Sequence, residues 1–204
     1  MKVAVVDYDA GNTLSVTRAL EKVGARVDLT PDPERVLAAD AVVLPGVGAF
    51  GECMRKLRER GMDEACLETY HSGKPFLGVC VALQVFFEGS EETPGVKGLG
   101  ILPGRVVRFD VGDLKVPHMG WNDLDLVRSH PVLDGLGGEA FYFVHSYYPE
   151  PEEPRDLLGV SDYGGPFCAA AGRENLAAMQ FHPEKSSLAG LKLYENFLLW
   201  ARTL

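Results

Sequence analysis

The sequence has little positive charge and no long hydrophobic run, and these two absences disfavour several classes of protein. Asp and Glu outnumber Lys and Arg by 29 to 20, which gives a net charge of -9 at pH 7. Nucleic-acid binding depends largely on Lys and Arg that displace counterions, so this balance argues against a nucleic-acid partner. The longest nearly apolar run, residues 77–87, contains Gln84 and is about half as long as a helix that crosses a bilayer. We therefore expect small-molecule or protein partners and no membrane span.

Cysteine is also scarce. The four cysteines, at positions 53, 66, 80 and 168, form no Cys-x-x-Cys pair, and the five histidines show no zinc-ligand spacing. We therefore expect neither a disulfide framework nor a metal, and no cofactor. The chain opens on an apolar, β-rich segment at residues 2–7 without the features of a secretory signal. These observations favour a reducing, cytoplasmic location.

The remaining composition predicts one α/β domain over residues 1–204. Hydrophobic residues make up 46% of the chain, enough for one substantial core, and no stretch has the composition of a linker. Asn12 is predicted to cap a helix at residues 13–23, which Gly24 ends. Short runs that are apolar throughout, as in a parallel sheet covered on both faces, occur at residues 3–6, 41–44 and 75–79.

The second half of the chain predicts a mixed sheet. Strand candidates interrupted by Gly, Pro and Asp lie at residues 105–109, 141–144 and 176–181. The cluster of Pro and Glu at residues 150–154 predicts an exposed turn. Ser186 or Ser187 is predicted to cap a last helix that runs to Thr203.

Cys80 lies where an apolar strand runs directly into a helical pattern. A tight strand-to-helix turn that exposes a nucleophile needs small residues two positions to either side, and Gly78 and Ala82 stand there. The start of the following helix would favour the thiolate. The alternative is that Cys80 is a small core residue, because free cysteine is among the most buried residue types.

A base for such a nucleophile is suggested by His182, Pro183 and Glu184. Pro183 favours extended backbone before it, so the side chains of His182 and Glu184 can point the same way. A carboxylate in that position would fix the imidazole tautomer and stabilise the imidazolium. Alone, the same three residues are more often a turn with a solvated acid.

The segments around Cys80 and His182 resemble those of class I glutamine amidotransferases, a flavodoxin-like family with a triad of Cys, His and Glu. Four segments are more specifically similar to the glutaminase subunits of imidazole glycerol phosphate synthases: residues 45–50 (Pro-Gly-Val-Gly-Ala-Phe), 117–122 (Pro-His-Met-Gly-Trp-Asn), 143–147 (Phe-Val-His-Ser-Tyr) and 182–187 (His-Pro-Glu-Lys-Ser-Ser). The resemblance covers essentially the whole chain. It implies a three-layer fold with a mostly parallel central sheet that becomes mixed in its C-terminal half.

The resemblance implies that Cys80, His182 and Glu184 hydrolyse glutamine through a thioester. The amides of Val81 and Val47 would form the oxyanion hole, and we hypothesise that the glycines beside Val47 let this hole assemble only when a partner binds. The residues implied to hold the glutamine head group are Gln84, Glu92, His145, Ser146 and Tyr147. Gln84 could equally be an ordinary helix residue, and Glu92 could be solvated.

The implied partner is a (β/α)8 cyclase subunit that forms a heterodimer with this chain and uses the ammonia in histidine biosynthesis. Met119, Trp121, Asn122 and Lys185 are the interface candidates, because Met and aromatic residues are enriched at interfaces. Trp121 could alternatively belong to the core.

Two residues depart from the family pattern, and three different functions compete. Ala82 and Asp9 stand where relatives usually have glycine, which bears on the conformation of the elbow and of the first loop. The glycines at 46, 48 and 51 match a dinucleotide-binding pattern, but the acidic residue expected about 20 positions later is missing. A Cys-His hydrolase with a different substrate and a catalytically silent regulatory subunit are the second and third competing functions.

Overall fold

The computed structural model describes all 204 residues and is built around an eight-stranded sheet. The strands are β1 (Lys2–Val6), β2 (Arg26–Thr30), β3 (Ala41–Gly46), β4 (Phe76–Cys80), β5 (Gly89–Ser90), β6 (Gly104–Arg108), β7 (His118–Asp123), β8 (Asp125–Leu126), β9 (Ala140–His145), β10 (Tyr147–Pro151), β11 (Leu157–Asp162), β12 (Pro166–Arg173) and β13 (Leu176–Met179). The α-helices are α1 (Thr13–Lys22), α2 (Pro33–Leu37), α3 (Phe50–Glu59), α4 (Met62–His71), α5 (Val81–Val85) and α6 (Ser187–Trp200). Single 3-10 turns occur at Pro131–Leu133, Pro154–Asp156 and Pro183–Lys185.

The strand order of the main sheet is β2-β1-β3-β4-β13-β12-β11-β8. Its first five strands are parallel, and β12, β11 and β8 are antiparallel to their neighbours. The helices pack in two groups, α1 with α6 and α2 to α5 with one another. This arrangement confirms the predicted α/β fold with a sheet that is mostly parallel and mixed in its C-terminal half. None of the helices is long and apolar enough to span a membrane.

The carboxyl ends of the parallel strands lie at the same edge of the sheet, and this edge positions the candidate site. β3 and β4 are buried along their whole length, as their uninterrupted apolar runs predicted. Gly46 at the end of β3 lies opposite Cys80 at the end of β4, and Met179 at the end of β13 lies opposite Val79. The loops that follow these three strands therefore converge.

The exposed turn predicted at residues 150–154 is wrong in its first half. Glu150 and Pro151 belong to β10, which pairs antiparallel with β6. Proline lacks an N–H and is tolerated where a strand has a free side, and β10 is the edge strand of a three-stranded sheet. Composition therefore indicated a turn where the chain forms an edge strand.

Two predicted helix caps are right in position, because Asn12 and Ser186 are the N-cap residues of α1 and α6, but wrong in their bonding. The side chain of Asn12 makes no capping hydrogen bond to α1, and that of Ser186 makes none to α6. Both side chains instead hold residues of the candidate site. Gly24, with φ of 89°, follows the end of α1 as predicted, and α6 ends at Trp200, three residues before its predicted end.

Candidate active site

Cys80 forms a strained elbow between β4 and α5. Its φ of 58° and ψ of -115° are uncommon for a residue with a side chain. The turn is so tight that a Cβ at Gly78 would lie 2.4 Å from Cε2 of Phe86, and one at Gly46 would lie 2.7 Å from the amide nitrogen of Ala82. Glycine at these two positions therefore lets α5 pack directly against β3 and β4.

The two departures from the family pattern are accommodated differently. Ala82 lies in α5 without a left-handed backbone, so its methyl group needs no strained conformation. Asp9 does adopt the left-handed conformation, with φ of 61°. Its carboxylate pairs with Arg60, and its carbonyl accepts a hydrogen bond of 2.7 Å from Lys56. Tertiary contacts thus stabilise a conformation that glycine would adopt more easily.

His182 lies between Cys80 and Glu184. Its Nδ1 is 2.9 Å from Oε1 of Glu184, and both side chains are almost fully buried. Burial alone would lower the pKa of His182, but its interactions with Cys80 and then with Glu184 raise it above its usual value. The imidazole is therefore suited to take and keep the proton of the thiol.

Asn12 and Ser186 hold this pair in place. Nδ2 of Asn12 donates to Oε1 of Glu184 at 3.2 Å. Oγ of Ser186 donates to the carbonyl of His182 at 2.6 Å and accepts from the amide of Tyr142 at 3.0 Å. The amide of His182 in turn donates to the carbonyl of Tyr142 at 2.9 Å. Local patterns predicted capping roles for both polar side chains, whereas the fold provides them with tertiary partners.

One cavity of about 310 Å³ collects most of the predicted site. Its lining includes nine predicted residues, namely Val47, Cys80, Val81, Gln84, Glu92, His145, Ser146, Tyr147 and His182. Gly48, Pro117 and Val144 also line it and were not predicted. Glu184 lies behind His182, outside the cavity. The volume is at the small end of the range for ligand pockets.

Glu92 lines the cavity and also binds the start of α3. Its Oε2 accepts a hydrogen bond of 2.7 Å from the amide of Phe50, the first residue of that helix. A dinucleotide pyrophosphate would have to occupy the same helix terminus. The carboxylate of Glu92 already occupies this terminus and would repel the phosphates, which disfavours dinucleotide binding. The same hydrogen bond shows that Glu92 is not simply a solvated acid.

The loop after β3 is tethered through Cys53. Its Sγ donates to the carbonyl of Val47 at 3.5 Å. The amide of Val47 has no hydrogen-bond partner within the protein, and Gly48 has φ of 100°. An unpaired amide next to a permissive glycine can be reoriented, and the oxyanion role of Val47 stays a prediction.

A buried histidine relay supports the opposite wall. Nδ1 of His145 is 2.9 Å from the carbonyl of Tyr147, which can only accept, so Nδ1 carries the proton. Nε2 of His145 then accepts from Nδ1 of His118 at 3.2 Å, and Nε2 of His118 accepts from Asn122 at 3.3 Å. Burial lowers the pKa of His145 to about 3, which keeps it neutral. These hydrogen bonds hold residues 145–147 in place along the cavity.

The interface candidates divide into an exposed group and one inward-facing residue. Met119 and Trp121 lie on the same face of β7 and are 62% and 55% exposed, so the core alternative for Trp121 is wrong. Asn122 is half-buried and donates to the carbonyl of Asp162 at 2.8 Å. Nζ of the exposed Lys185 lies 5.8 Å from the centroid of the Tyr142 ring, which also contacts Trp121. We call Met119, Trp121, Tyr142 and Lys185 the β7 rim.

The fold and this site together correspond to one class of protein. Residues 4–201 match the family model of class I glutamine amidotransferases. A solved structure described as a glutamine amidotransferase superposes with a TM-score of 0.77, at 20% sequence identity and with 98% of each chain covered, which supports the fold.

Curated relatives narrow the assignment. The imidazole glycerol phosphate synthase subunit HisH of Desulfitobacterium hafniense is 51% identical over 97% of this chain and 94% of its own length. The protein of that name from Methanothermobacter thermautotrophicus is 50% identical, covering 96% and 97% of the two chains. The chain belongs to the class I glutamine amidotransferase family and, within it, to the HisH subunits of imidazole glycerol phosphate synthase.

Proposed function

We propose that this chain releases ammonia from glutamine at Cys80 and passes it to a (β/α)8 cyclase subunit in the cytoplasm, within a heterodimeric imidazole glycerol phosphate synthase. The observation that carries the proposal is the position of His182 on the cavity wall, interacting with Cys80 and hydrogen-bonded to Glu184. This geometry supplies a nucleophile, a base and an orienting carboxylate.

The reaction then proceeds in two steps. The thiolate of Cys80 attacks the side-chain amide carbon of glutamine, and the protonated His182 gives its proton to the departing ammonia, leaving a γ-glutamyl thioester. Water deprotonated by His182 attacks this thioester, and the sulfur leaves as thiolate with glutamate as the product. Glu184 stabilises the imidazolium each time it forms.

The tetrahedral oxyanion of each step needs two donors. The amide of Val81 is at the start of α5 and that of Val47 is in the tethered loop. Loss of one such donor typically costs about 3 kcal/mol. A partner that turns the Val47 amide toward the oxyanion would therefore raise the rate of glutamine hydrolysis. Without the partner the rate would stay low, which limits waste of glutamine.

The β7 rim is the proposed docking surface for the cyclase. It contains exposed Met and Trp side chains, residue types that are enriched at interfaces. A partner seated there would lie beside His182, because Tyr142 is hydrogen-bonded to its backbone. Ammonia could then reach the partner before it is protonated in bulk water.

The test is Cys80→Ser in the complex with the cyclase. We expect synthesis from glutamine to be abolished and synthesis from added ammonia to persist. Cys168→Ala is the matched control, since Cys168 is also buried and free but hydrogen-bonds only to the carbonyl of Ala170. Glutamine-dependent turnover by Cys80→Ser would disprove the assignment of the nucleophile.

A further inference from the structure

Gln180 is a buried amide beside the nucleophile. It follows β13 two positions before His182, its side chain is completely buried, and its Nε2 lies 4.0 Å from Sγ of Cys80. The backbone bends at Gln180 and Phe181, and His182 also interacts with Cys80. Gln180 and His182 therefore reach Cys80 from the same segment.

A second glutamine fixes the orientation of this amide. Nε2 of Gln84 donates to the carbonyl of Tyr147 at 3.0 Å and to Oε1 of Gln180 at 3.1 Å. Because the backbone carbonyl only accepts, the nitrogen of Gln84 must face Tyr147 and can then also donate to Gln180. The oxygen of Gln180 thus faces Gln84, and its NH2 group faces the sulfur. The reverse orientation would set two NH2 groups against each other.

We propose that the side-chain amide of Gln180 donates a hydrogen bond to the Cys80 thiolate and that Gln84 holds the amide in the donating orientation. The inference rests on the proposed function, in which Cys80 reacts as a thiolate. A hydrogen bond to the charged form of a group favours that form. Gln84 would then have two tasks, because it also lines the glutamine cavity.

The competing explanation is that Gln180 only fills space. Its hydrogen bond with Gln84 would then matter for stability, and its NH2 group would not affect the sulfur. The two explanations differ in one observable, the pH at which Cys80 ionises, which packing alone does not change.

The experiment measures alkylation of Cys80 by iodoacetamide against pH, in the complex with the cyclase and by peptide mass spectrometry. In Gln180→Met, which has similar length but no N–H donor, we expect the midpoint to rise by about one pH unit, so that the thiolate fraction below both midpoints falls about tenfold. Because the more basic thiolate reacts about threefold faster, the alkylation rate there should fall about three- to fourfold. The plateau at high pH should rise by a few-fold, because a more basic thiolate is more nucleophilic. An unchanged midpoint in the folded variant overturns the proposal.

Two further variants separate the donor from the packing. Gln180→Glu keeps an acceptor for Gln84 but faces the sulfur without a donor, so its midpoint should also rise. Asn196→Leu removes a different buried amide, one that donates to Val132 and Asp134, and should lose stability with no change in the midpoint. An equal shift in Asn196→Leu would contradict the inference.

The unmodified protein gives a test that needs no variant. The NMR signals of the Gln180 side-chain amide should move downfield as Cys80 ionises, and signals that do not respond would overturn the inference. A glutamine-like affinity label, 6-diazo-5-oxonorleucine, separates a failure of this inference from a failure of the proposed function. If the label does not attach to Cys80, the proposed function is wrong. If it attaches while Gln180→Met titrates like the wild type, only the role of Gln180 is wrong.

Discussion

Asn12 offers a sharp test of how the candidate site is held. It is the one side chain besides His182 that hydrogen-bonds to the carboxylate of Glu184, at 3.2 Å, and it does not line the cavity beside Cys80. The other carboxylate oxygen, Oε2, is buried and has no partner. Removing the amide therefore leaves the carboxylate held by the imidazole alone, free to rotate away from Nδ1.

The size of the effect follows from this geometry. A hydrogen bond to a charged group contributes about 1.5–3 kcal/mol, so Asn12→Ala should lower kcat for glutamine hydrolysis by about tenfold or more. Asn12→Asp puts a second carboxylate about 3.2 Å from the first, and at an effective dielectric constant of about 20 the two repel by about 5 kcal/mol. The pair should then hold a proton near neutral pH, and kcat should fall further, toward that of Glu184→Gln.

The assay is steady-state glutamate release by the complex with the cyclase. KM for glutamine should stay unchanged, because Asn12 does not face the substrate. The matched control is Asp32→Ala, which removes a true cap, since Oδ1 of Asp32 accepts from the amide of Glu34 at the start of α2. That variant should lose stability but keep kcat. A wild-type kcat in Asn12→Ala, or equal losses in Asn12→Ala and Asn12→Asp, would refute the reasoning.

Three further outcomes are expected. Burial raises the pKa of Cys53 to about 11, so its thiol remains a donor to the carbonyl of Val47. Cys53→Ala removes this hydrogen bond from the Val47 loop and should increase partner-independent glutamine hydrolysis several-fold. An unchanged rate would contradict the proposed role of the hydrogen bond. His145 stays neutral when folded, with a pKa of about 3 against 6.5 unfolded. The unfolded chain therefore binds more protons below pH 6.5, and the free energy of unfolding should fall between pH 6.5 and 5, less steeply in His145→Gln, as urea unfolding can measure. Asp156→Asn breaks a buried bidentate pair with Arg173, with contacts of 2.8 and 2.6 Å. It should lower the free energy of unfolding by about 3 kcal/mol, as thermal unfolding can measure. It should not change kcat, because Arg173 lies near the end of the sheet opposite the site.

The parallel half of the fold was predictable because its strands are apolar on both faces. Each of the runs at residues 3–6, 41–44 and 75–79 corresponds to a buried strand. The edge strand β10 was not predictable from composition, because its prolines resemble a turn until the free side of the strand is known. Local propensity identifies a central strand better than an edge strand.

The candidate site was predictable where local backbone geometry defines it. Gly78 and Cys80 mark the elbow, and the spacing of His182 and Glu184 places their side chains together. Gln180 has no such signal, because the backbone bends at Gln180 and Phe181 and side chains do not simply alternate there. Asn12 could not be found, because its contact with Glu184 joins residues 172 positions apart.

Docking of the cyclase on the β7 rim, as proposed, would let it influence chemistry that it does not touch. Tyr142 presents its ring to Trp121 and Lys185 on the surface, while its backbone carbonyl accepts from the amide of His182. A partner that presses on the ring therefore acts on a residue one hydrogen bond from the proposed base. If this contact carries the coupling, Trp121→Ala should weaken both partner binding and the stimulation of glutamine hydrolysis at saturating partner. If Trp121 contributes only to the affinity for the partner, a saturating concentration of partner should restore full stimulation of glutamine hydrolysis in Trp121→Ala.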